Sequence, residues 1–314
     1  MIIVTGGAGF IGSNLVKGLN KEGIDDIIIV DNLTNSQKHK NLNTLKFRDY
    51  IDKEDFIVNL SKFKHYKIDT IFHQGACSNT LETDGRYMMN NNYEYSKQLL
   101  SFAVENNARF IYASSASVYG DGANGFKEDE KNEYPLNVYA FSKFMFDRYI
   151  RSMIDNVNIQ IVGLRYFNVY GPQESHKGKM ASVIFHFHNE ILEDGTIKLF
   201  EGSEHFKRDF VFVDDVVDVN LFFFKNYNLR GIYNCGSSKA EPFLKIAEIM
   251  QKLYKNVRIE FIKFPDELKE KYQKYTQADI GLLRNAGYNK EFTALEDGVK
   301  RYVEILKESN GYYR

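Results

Sequence analysis

Cysteine is scarce in this chain. Cys77 and Cys235 are the only two among 314 residues, so a secreted disulfide framework is not expected and a reducing, cytoplasmic setting fits better. A basic excess is missing as well. Lys and Arg number 41 against 42 Asp and Glu, for a net charge of −1, which argues against a phosphate-tracking, nucleic-acid-binding role. There is no long apolar run. The late cluster Leu221-Phe222-Phe223-Phe224 is far too short to span a bilayer. Met1 leads straight into Ile2-Ile3-Val4 and glycines, without the charged and apolar regions of a leader, so no signal peptide is expected. Tryptophan is absent while Phe (25) and Tyr (21) abound, which reads as core composition rather than a stacking platform. No internal repeat or low-complexity linker interrupts the chain. With 43% hydrophobic and 26% charged residues, the composition is that of a globular protein of one large or two modest domains.

The first half alternates short β-branched runs with helical patterns. Ile2-Ile3-Val4 predicts a strand, and Ile11, Leu15, Val16 and Leu19 form the stripe of a following helix. Further strands are expected at Ile27 to Val30 (closed by Asp31), ending near Asp49, at Asp69 to Phe72, from Arg109, and at Ile159 to Leu164. A long helix is expected over Tyr87 to Asn106 and another around Tyr139. This alternation implies βαβ units, a parallel sheet and right-handed crossovers. After Asn168 the regularity weakens, although Phe210 to Val213 and Ile232 to Cys235 still read as sheet material.

Gly6, Gly9 and Gly12 follow the first strand and open the first helix, two residues between each pair. Small residues at that spacing let the backbone turn sharply against a pyrophosphate, and the helix N-terminus supplies donors. The fold class expected is therefore α/β: a Rossmann-type doubly wound parallel sheet with a smaller mixed α/β substrate domain. The cofactor domain is expected to take residues 1–167 plus about 209–240, and the substrate domain about 168–208 and 241–314. Asp31, at the end of the second strand, suits the hydroxyls of an adenosine ribose and so favours NAD. Lys38 and Lys53 are cations that a 2′-phosphate of NADP would attract. These residues alone leave the two cofactors open. Gln74-Gly75-Ala76-Cys77-Ser78 follows the fourth strand, small enough to run beside a cofactor, with Cys77 read as a small core residue rather than a reactive thiol.

Tyr139 and Lys143 lie one helical turn apart and so share a face. A free phenol has a pKa of about 10 and is a poor base at neutral pH. An ammonium about 4 Å away offers roughly 4 kcal/mol at an effective dielectric of 20, enough to lower the phenol by roughly three units at about 1.36 kcal/mol each. Ser115 ends the fifth strand, and doubly wound sheets bind ligands beyond the carboxyl ends of their strands.

Glycine turn, strand-end serine and Tyr-x-x-x-Lys in this order resemble the short-chain dehydrogenase/reductase superfamily, extended branch. The resemblance implies that Tyr139 is an acid/base, that Ser115 polarises the reacting oxygen, and that Lys143 holds the nicotinamide ribose and lowers the tyrosine pKa. Dehydratases of the superfamily carry Asp-Glu where this chain has Ala116-Ser117, so epimerisation or simple oxidation survives and dehydration does not. Arg165-Tyr166-Phe167-Asn168-Val169-Tyr170-Gly171-Pro172, His176-Lys177-Gly178, Phe200-Glu201-Gly202-Ser203, Phe206 to Phe210 and Tyr275 to Asp279 narrow the resemblance, over essentially the whole chain, to the ADP-L-glycero-D-manno-heptose 6-epimerase family. That resemblance implies an NADP-dependent inversion at C6 of an ADP-activated heptose through a transient 6-ketone, supplying a precursor of lipopolysaccharide or other surface glycans. It implies a second acid/base at Lys177, whose alternative reading is diphosphate binding. It implies cofactor contacts at Gly6, Gly9, Phe10, Ile11, Gly12, Asp31, Asn32, Lys38, Lys53, Gln74 to Ser78, Asn91, Lys143, Val169 and Lys177. It implies substrate contacts at Asn168, Lys179, His186, Phe200, Glu201, Gly202, Ser203, Arg208 and Tyr272. Lys179 departs from the family pattern, where a small residue such as Ser is usual. Arg208 suits a diphosphate on its own chemistry, and an ion pair with Asp209 is its other reading. A homo-oligomer, typically a pentamer, is implied as well. Another nucleotide-sugar epimerase or reductase of the same fold, and a non-catalytic dinucleotide sensor, are the competing readings. His186 and His188 are two apart and fall on different helix faces, so no metal site is expected.

Overall fold

The computed structural model describes residues 1–264 and 273–314. Seven parallel strands form the central sheet: β1 (Ile2–Thr5), β2 (Ile27–Asp31), β3 (Asp49–Asp52), β4 (Thr70–His73), β5 (Arg109–Ser115), β6 (Ile161–Tyr166) and, after three strands outside it, β10 (Gly231–Cys235). Their order is β10-β6-β5-β4-β1-β2-β3. The order reverses between β1 and β4, which opens a crevice at their carboxyl ends.

The strands are almost wholly apolar because helices cover both faces. Ile2, Val4, Ile27 and Ile29 pack with Leu15, Val16 and Leu19 of α1 (Phe10–Lys21) and with Val216 and Val217 of α7 (Val213–Lys225). The alternate residues Ile3, Ile28 and Val30 pack on the other side with α2 (Lys53–Val58), α4 (Tyr95–Glu105) and α5 (Val138–Met153). The short helix α3 (Gly85–Met89) joins α4 through a π-turn, Asn90–Glu94, so the single helix expected over Tyr87 to Asn106 carries a bulge. Such bulges re-aim side chains and recur at functional sites; here Asn91 and Asn92 lie in it.

A smaller unit completes the fold. β7 (Asn168–Tyr170), β9 (Lys207–Phe212) and β11 (Ala240–Pro242) make a three-stranded sheet, and β8 (Thr196–Phe200) pairs in parallel with β12 (Arg258–Ile262). α6 (Val183–Asp194), α8 (Phe243–Leu253) and α10 (Leu295–Ser309) enclose a separate core around Tyr170, Ile197, Phe210 and Phe212. The short α9 (Gly281–Asn285) packs on the central sheet's side through Leu283.

Three expected boundaries shift. β3 begins at Asp49 instead of ending there, because an edge strand exposed on one side lacks the continuous apolar run of its neighbours. β6 runs two residues further than the apolar pattern of Ile159 to Leu164, since the buried Arg165 interrupts that pattern. The sheet material around Phe210 is β9, which pairs with β7 rather than with the central sheet, so the central layer resumes at α7. Among the described residues no helix is long and apolar enough to cross a membrane.

Candidate active site

The glycine turn lies where β1 meets α1. Gly6 has φ +67°, and a Cβ there would sit 2.6 Å from Gly75. A Cβ on Gly12 would run into the Gly6 carbonyl. Only glycine allows the β1 and β4 loops this close, and the resulting cradle suits a pyrophosphate. Asp31 ends β2 and turns inward. Its carboxylate accepts from Ala8 N at 2.9 Å and Asn32 N at 2.7 Å, and it pairs with Lys38. Lys38 also donates to the Asn32 carbonyl at 2.8 Å. Lys53 is engaged elsewhere, donating to Asn91 Oδ1 at 2.6 Å. Phe10 and Ile11 open α1.

Beneath this crevice runs a one-way chain of hydrogen bonds. Gly75 N donates to Thr5 Oγ1 at 3.3 Å, and Thr5 Oγ1 lies 2.6 Å from His73 Nδ1. His73 Nε2 lies 2.7 Å from Ser96 Oγ, which itself donates to the Asn92 carbonyl at 2.6 Å. Ser96 therefore accepts from His73, which puts the imidazole proton on Nε2 and leaves Nδ1 to accept from Thr5. Burial and the Lys143 charge lower the His73 pKa to about 3, so the ring is neutral. Asn92 clasps the β4 loop in turn, accepting from Cys77 N at 2.8 Å and donating to Cys77 O at 3.0 Å. Gln74 is fixed by Tyr166, whose hydroxyl donates to its side-chain oxygen at 3.0 Å. Ala76 and Cys77 are half-buried and Ser78 is exposed. Cys77 is thus not the core residue its size suggested; it lies beside Tyr87 and Tyr139.

Helix α5 supplies the Tyr-Lys pair. Asn137 caps it by accepting from Ala140 N at 2.8 Å, which sets Tyr139 in its first turn and Lys143 one turn on. Tyr139 hydrogen-bonds the Ser115 side chain, so the structure joins these two. Lys143 is buried and donates to the Ala113 carbonyl at 2.7 Å. Burial lowers its pKa to about 8, against an opposing pull from Asp147. The expected lowering of the phenol is not met in this geometry. Burial pushes the Tyr139 pKa up, the Ser115 hydrogen bond opposes it, and Lys143 spends its ammonium on Ala113.

Lys177 comes from a short helical turn, Ser175–Met180, broken at Gly178 with φ +55°. Its amine sits 5.1 Å from the centre of the Phe10 ring, against the glycine turn. Burial lowers its pKa, opposed by Glu174. Its neighbour Lys179 is exposed.

The remaining expected contacts line the smaller unit. Asn168 and Val169 lie in β7 beside β9, and Asn168 accepts from Thr276 at 3.4 Å. His186 is partly buried on α6; Phe200 ends β8, and Glu201, Gly202 and Ser203 form the turn after it. Arg208 is buried in β9, donates to the carbonyls of Lys207 (3.1 Å) and Gln273, and lies 5.6 Å from the Phe243 ring. The Asp209 carboxylate takes Ser237 Oγ and the amides of Ser237, Ser238 and Ala278, which is where that charge is satisfied. Tyr272 lies outside the described residues. Among the described residues no cluster of His, Cys, Asp and Glu is arranged to hold a metal ion.

The His73 chain, the buried pair Asp147–Arg165 and the left-handed Gln173 carry no short sequence pattern. The one available cue was a histidine and an arginine inside otherwise apolar strands.

The family described as NAD dependent epimerase/dehydratase matches residues 2–236. The chain is 63% identical over 316 aligned residues to the ADP-L-glycero-D-manno-heptose-6-epimerase of Brachyspira hyodysenteriae, covering 99% of each. Its fold resembles the crystal structure of the Helicobacter pylori ADP-L-glycero-D-manno-heptose-6-epimerase (34% identity, TM-score 0.87, 98% and 96% of the two chains). It also resembles a UDP-glucose 4-epimerase of Thermotoga maritima (26% identity, TM-score 0.82, 98% and 99%). A crevice shaped by Gly6 and Gly12, a Ser115–Tyr139 contact beside Lys143, and a family match over three quarters of the length point the same way: the chain belongs to the NAD dependent epimerase/dehydratase family.

Proposed function

We propose that this protein is an isomerase that inverts C6 of an ADP-activated heptose, interconverting ADP-D-glycero-D-manno-heptose and ADP-L-glycero-D-manno-heptose through a transient 6-ketone. The observation that carries the reading is 63% identity over 99% of the chain to a protein of that name. The site chemistry supports it. A ketone reduced from its opposite face needs a proton donor or acceptor on each side, and two groups with displaced pKa values are present. Burial raises Tyr139, which keeps the phenol protonated and so holding the proton to be returned, and lowers Lys177, which favours it as a base. In one direction Lys177 takes the C6 hydroxyl proton and Tyr139 returns a proton to the inverted alkoxide; in the other direction the roles exchange. Ser115 donates to the reacting oxygen, and Lys143 orients the ribose and supplies positive charge.

The nicotinamide cofactor supplies hydride acceptance and return. Gly6, Gly9, Phe10, Ile11 and Gly12, with Asp31, Asn32, Gln74 to Ser78, Asn91, Lys143, Val169 and Lys177, would hold it. We favour NADP over NAD because Lys38 pairs with Asp31 and Lys53 directly follows Asp52, the β3 partner of Asp31. Arg208 is proposed for the diphosphate, and Asn168, Lys179, His186, Phe200 to Ser203 and Tyr272 for the rest of the sugar nucleotide. The product would supply heptose to lipopolysaccharide or another surface glycan. A cytoplasmic homo-oligomer, a pentamer by resemblance, completes the reading; both cysteines are free thiols, as a reducing compartment would keep them. Incubation of the NADP-loaded protein with ADP-D-glycero-D-manno-heptose, followed by chromatographic separation of the two epimers, tests it. Formation of the L-glycero epimer is expected, and its absence with folded, cofactor-loaded protein would sink the reading.

A further inference from the structure

Gln173 combines two features that seldom coincide. Its backbone is left-handed, with φ +76°, and its side chain is completely buried. A long side chain in that conformation is strained and persists only where its surroundings over-determine it. Four hydrogen bonds do so here. Gln173 N donates to Gly311 O at 2.7 Å, and its carbonyl accepts from Asn41 Nδ2 at 3.1 Å. Its side-chain nitrogen donates to Asn41 O at 3.1 Å, and its side-chain oxygen accepts from Tyr313 N at 3.4 Å.

Segments far apart in sequence therefore meet on this one residue. Asn41 ends the turn that carries Lys38, and its Nδ2 also reaches the Ala8 carbonyl inside the glycine turn at 2.9 Å. From the same segment Asn35 Nδ2 donates to the His176 carbonyl at 2.9 Å. Gly311 and Tyr313 follow α10, and the Tyr313 hydroxyl donates to Asn14 on α1 at 2.9 Å. Ser175 Oγ donates to Asn310 O at 2.7 Å. Lys177 stands four residues beyond Gln173, at the far end of this bonded stretch.

We propose that Gln173 is a positioning residue for Lys177. It ties the lysine's turn to the adenosine-side loop at Asn41 and to the tail at Gly311 and Tyr313, and so sets where the amine stands against the glycine turn. The proposal rests on the reading of Lys177 as the second acid/base. It makes the cofactor-binding loop and the second base parts of one hydrogen-bonded unit.

Gln173→Gly tests it without relying on a strained variant. Glycine accepts a left-handed backbone freely, so both main-chain bonds remain available while the two side-chain bonds are lost. Turnover, KM for the ADP-heptose, NADP affinity and Tm are measured together, with Lys177→Met in parallel. The expected result is a fall in kcat of about 100-fold, the scale of an ångström-level misplacement. KM and NADP affinity stay within about two-fold, and Tm falls, because Asn41 O and Tyr313 N lose their buried partner. Unchanged kcat in Gln173→Gly, while Lys177→Met is inactive, overturns the positioning role and leaves the base assignment standing. Wild-type turnover by Lys177→Met overturns the base assignment itself, and the positioning role with it. Should Gln173→Gly fail to fold, Asn41→Ala removes the other bond between the two residues, from Asn41 Nδ2 to the Gln173 carbonyl, and is read by the same split of kcat from KM.

Discussion

The Arg165 guanidinium donates through Nε to Asp147 at 2.9 Å, and neither side chain reaches solvent. Asp147 lies one turn beyond Lys143 on α5 and also accepts from Tyr112 (2.8 Å) and Ser114 (2.9 Å) on β5. Asp147 thus fixes the register between the helix that carries Tyr139 and the strand that ends in Ser115, and Arg165 ties both to β6. Removing one partner strands a buried charge. Asp147→Ala is expected to cost about 3–5 kcal/mol, read as a lower urea midpoint at constant m-value. Arg165 also pairs with the buried Glu133 carboxylate and donates to the Tyr119 hydroxyl at 2.9 Å, and a loss under about 1 kcal/mol would show that these two compensate it fully.

That pair also marks how far the sequence could be read. The strands β1 and β2, the glycine turn and the Tyr139-Lys143 spacing are local patterns, and each stands where its pattern places it. Asp147 and Arg165 are 18 residues apart, and Gln173 and Asn41 are 132 apart. Such pairings depend on which strands become neighbours, and no local spacing reports that. The Tyr139 pKa departs from the expected direction for a related reason: helical spacing puts Lys143 on the right face but does not show that its ammonium turns to Ala113.

His73 makes stability pH-dependent. The folded ring has a pKa of about 3 against 6.5 for the free side chain, so the unfolded chain binds the extra proton first. Stability is therefore complete above about pH 6.5 and falls as pH drops toward 3, by at most about 1.4 kcal/mol per pH unit from this group. His176, lowered to about 4, adds to the same limb. Denaturant titrations at several pH values should show a shallower acid slope in His73→Gln than in the parent. An identical slope would assign the effect to other groups.

Gly12→Ala should abolish cofactor binding. Its Cβ would collide with the Gly6 carbonyl, and backbone, unlike a flexible side chain, gives way only by moving the turn. A loss of NADP affinity of at least about 100-fold is expected by fluorescence titration. Near-normal affinity would mean that the pyrophosphate does not use this cradle.

Tyr139→Phe and Lys177→Met each remove a group that the proposed mechanism assigns to proton transfer. Each is expected to lower kcat by about 100- to 10,000-fold with smaller changes in substrate affinity. The alternative role for Lys177, diphosphate binding, gives the opposite pattern: a raised KM with kcat largely kept.

The account's central claim is inversion at C6 by oxidation and re-reduction, and proton NMR of the product formed in D₂O tests it most directly. Hydrogen carried as hydride does not exchange with solvent, whereas a carbon acid deprotonated by Tyr139 or Lys177 would return with deuterium. The predicted product has the opposite C6 configuration and retains protium there. Unchanged configuration, or an inverted centre carrying deuterium, would contradict the account.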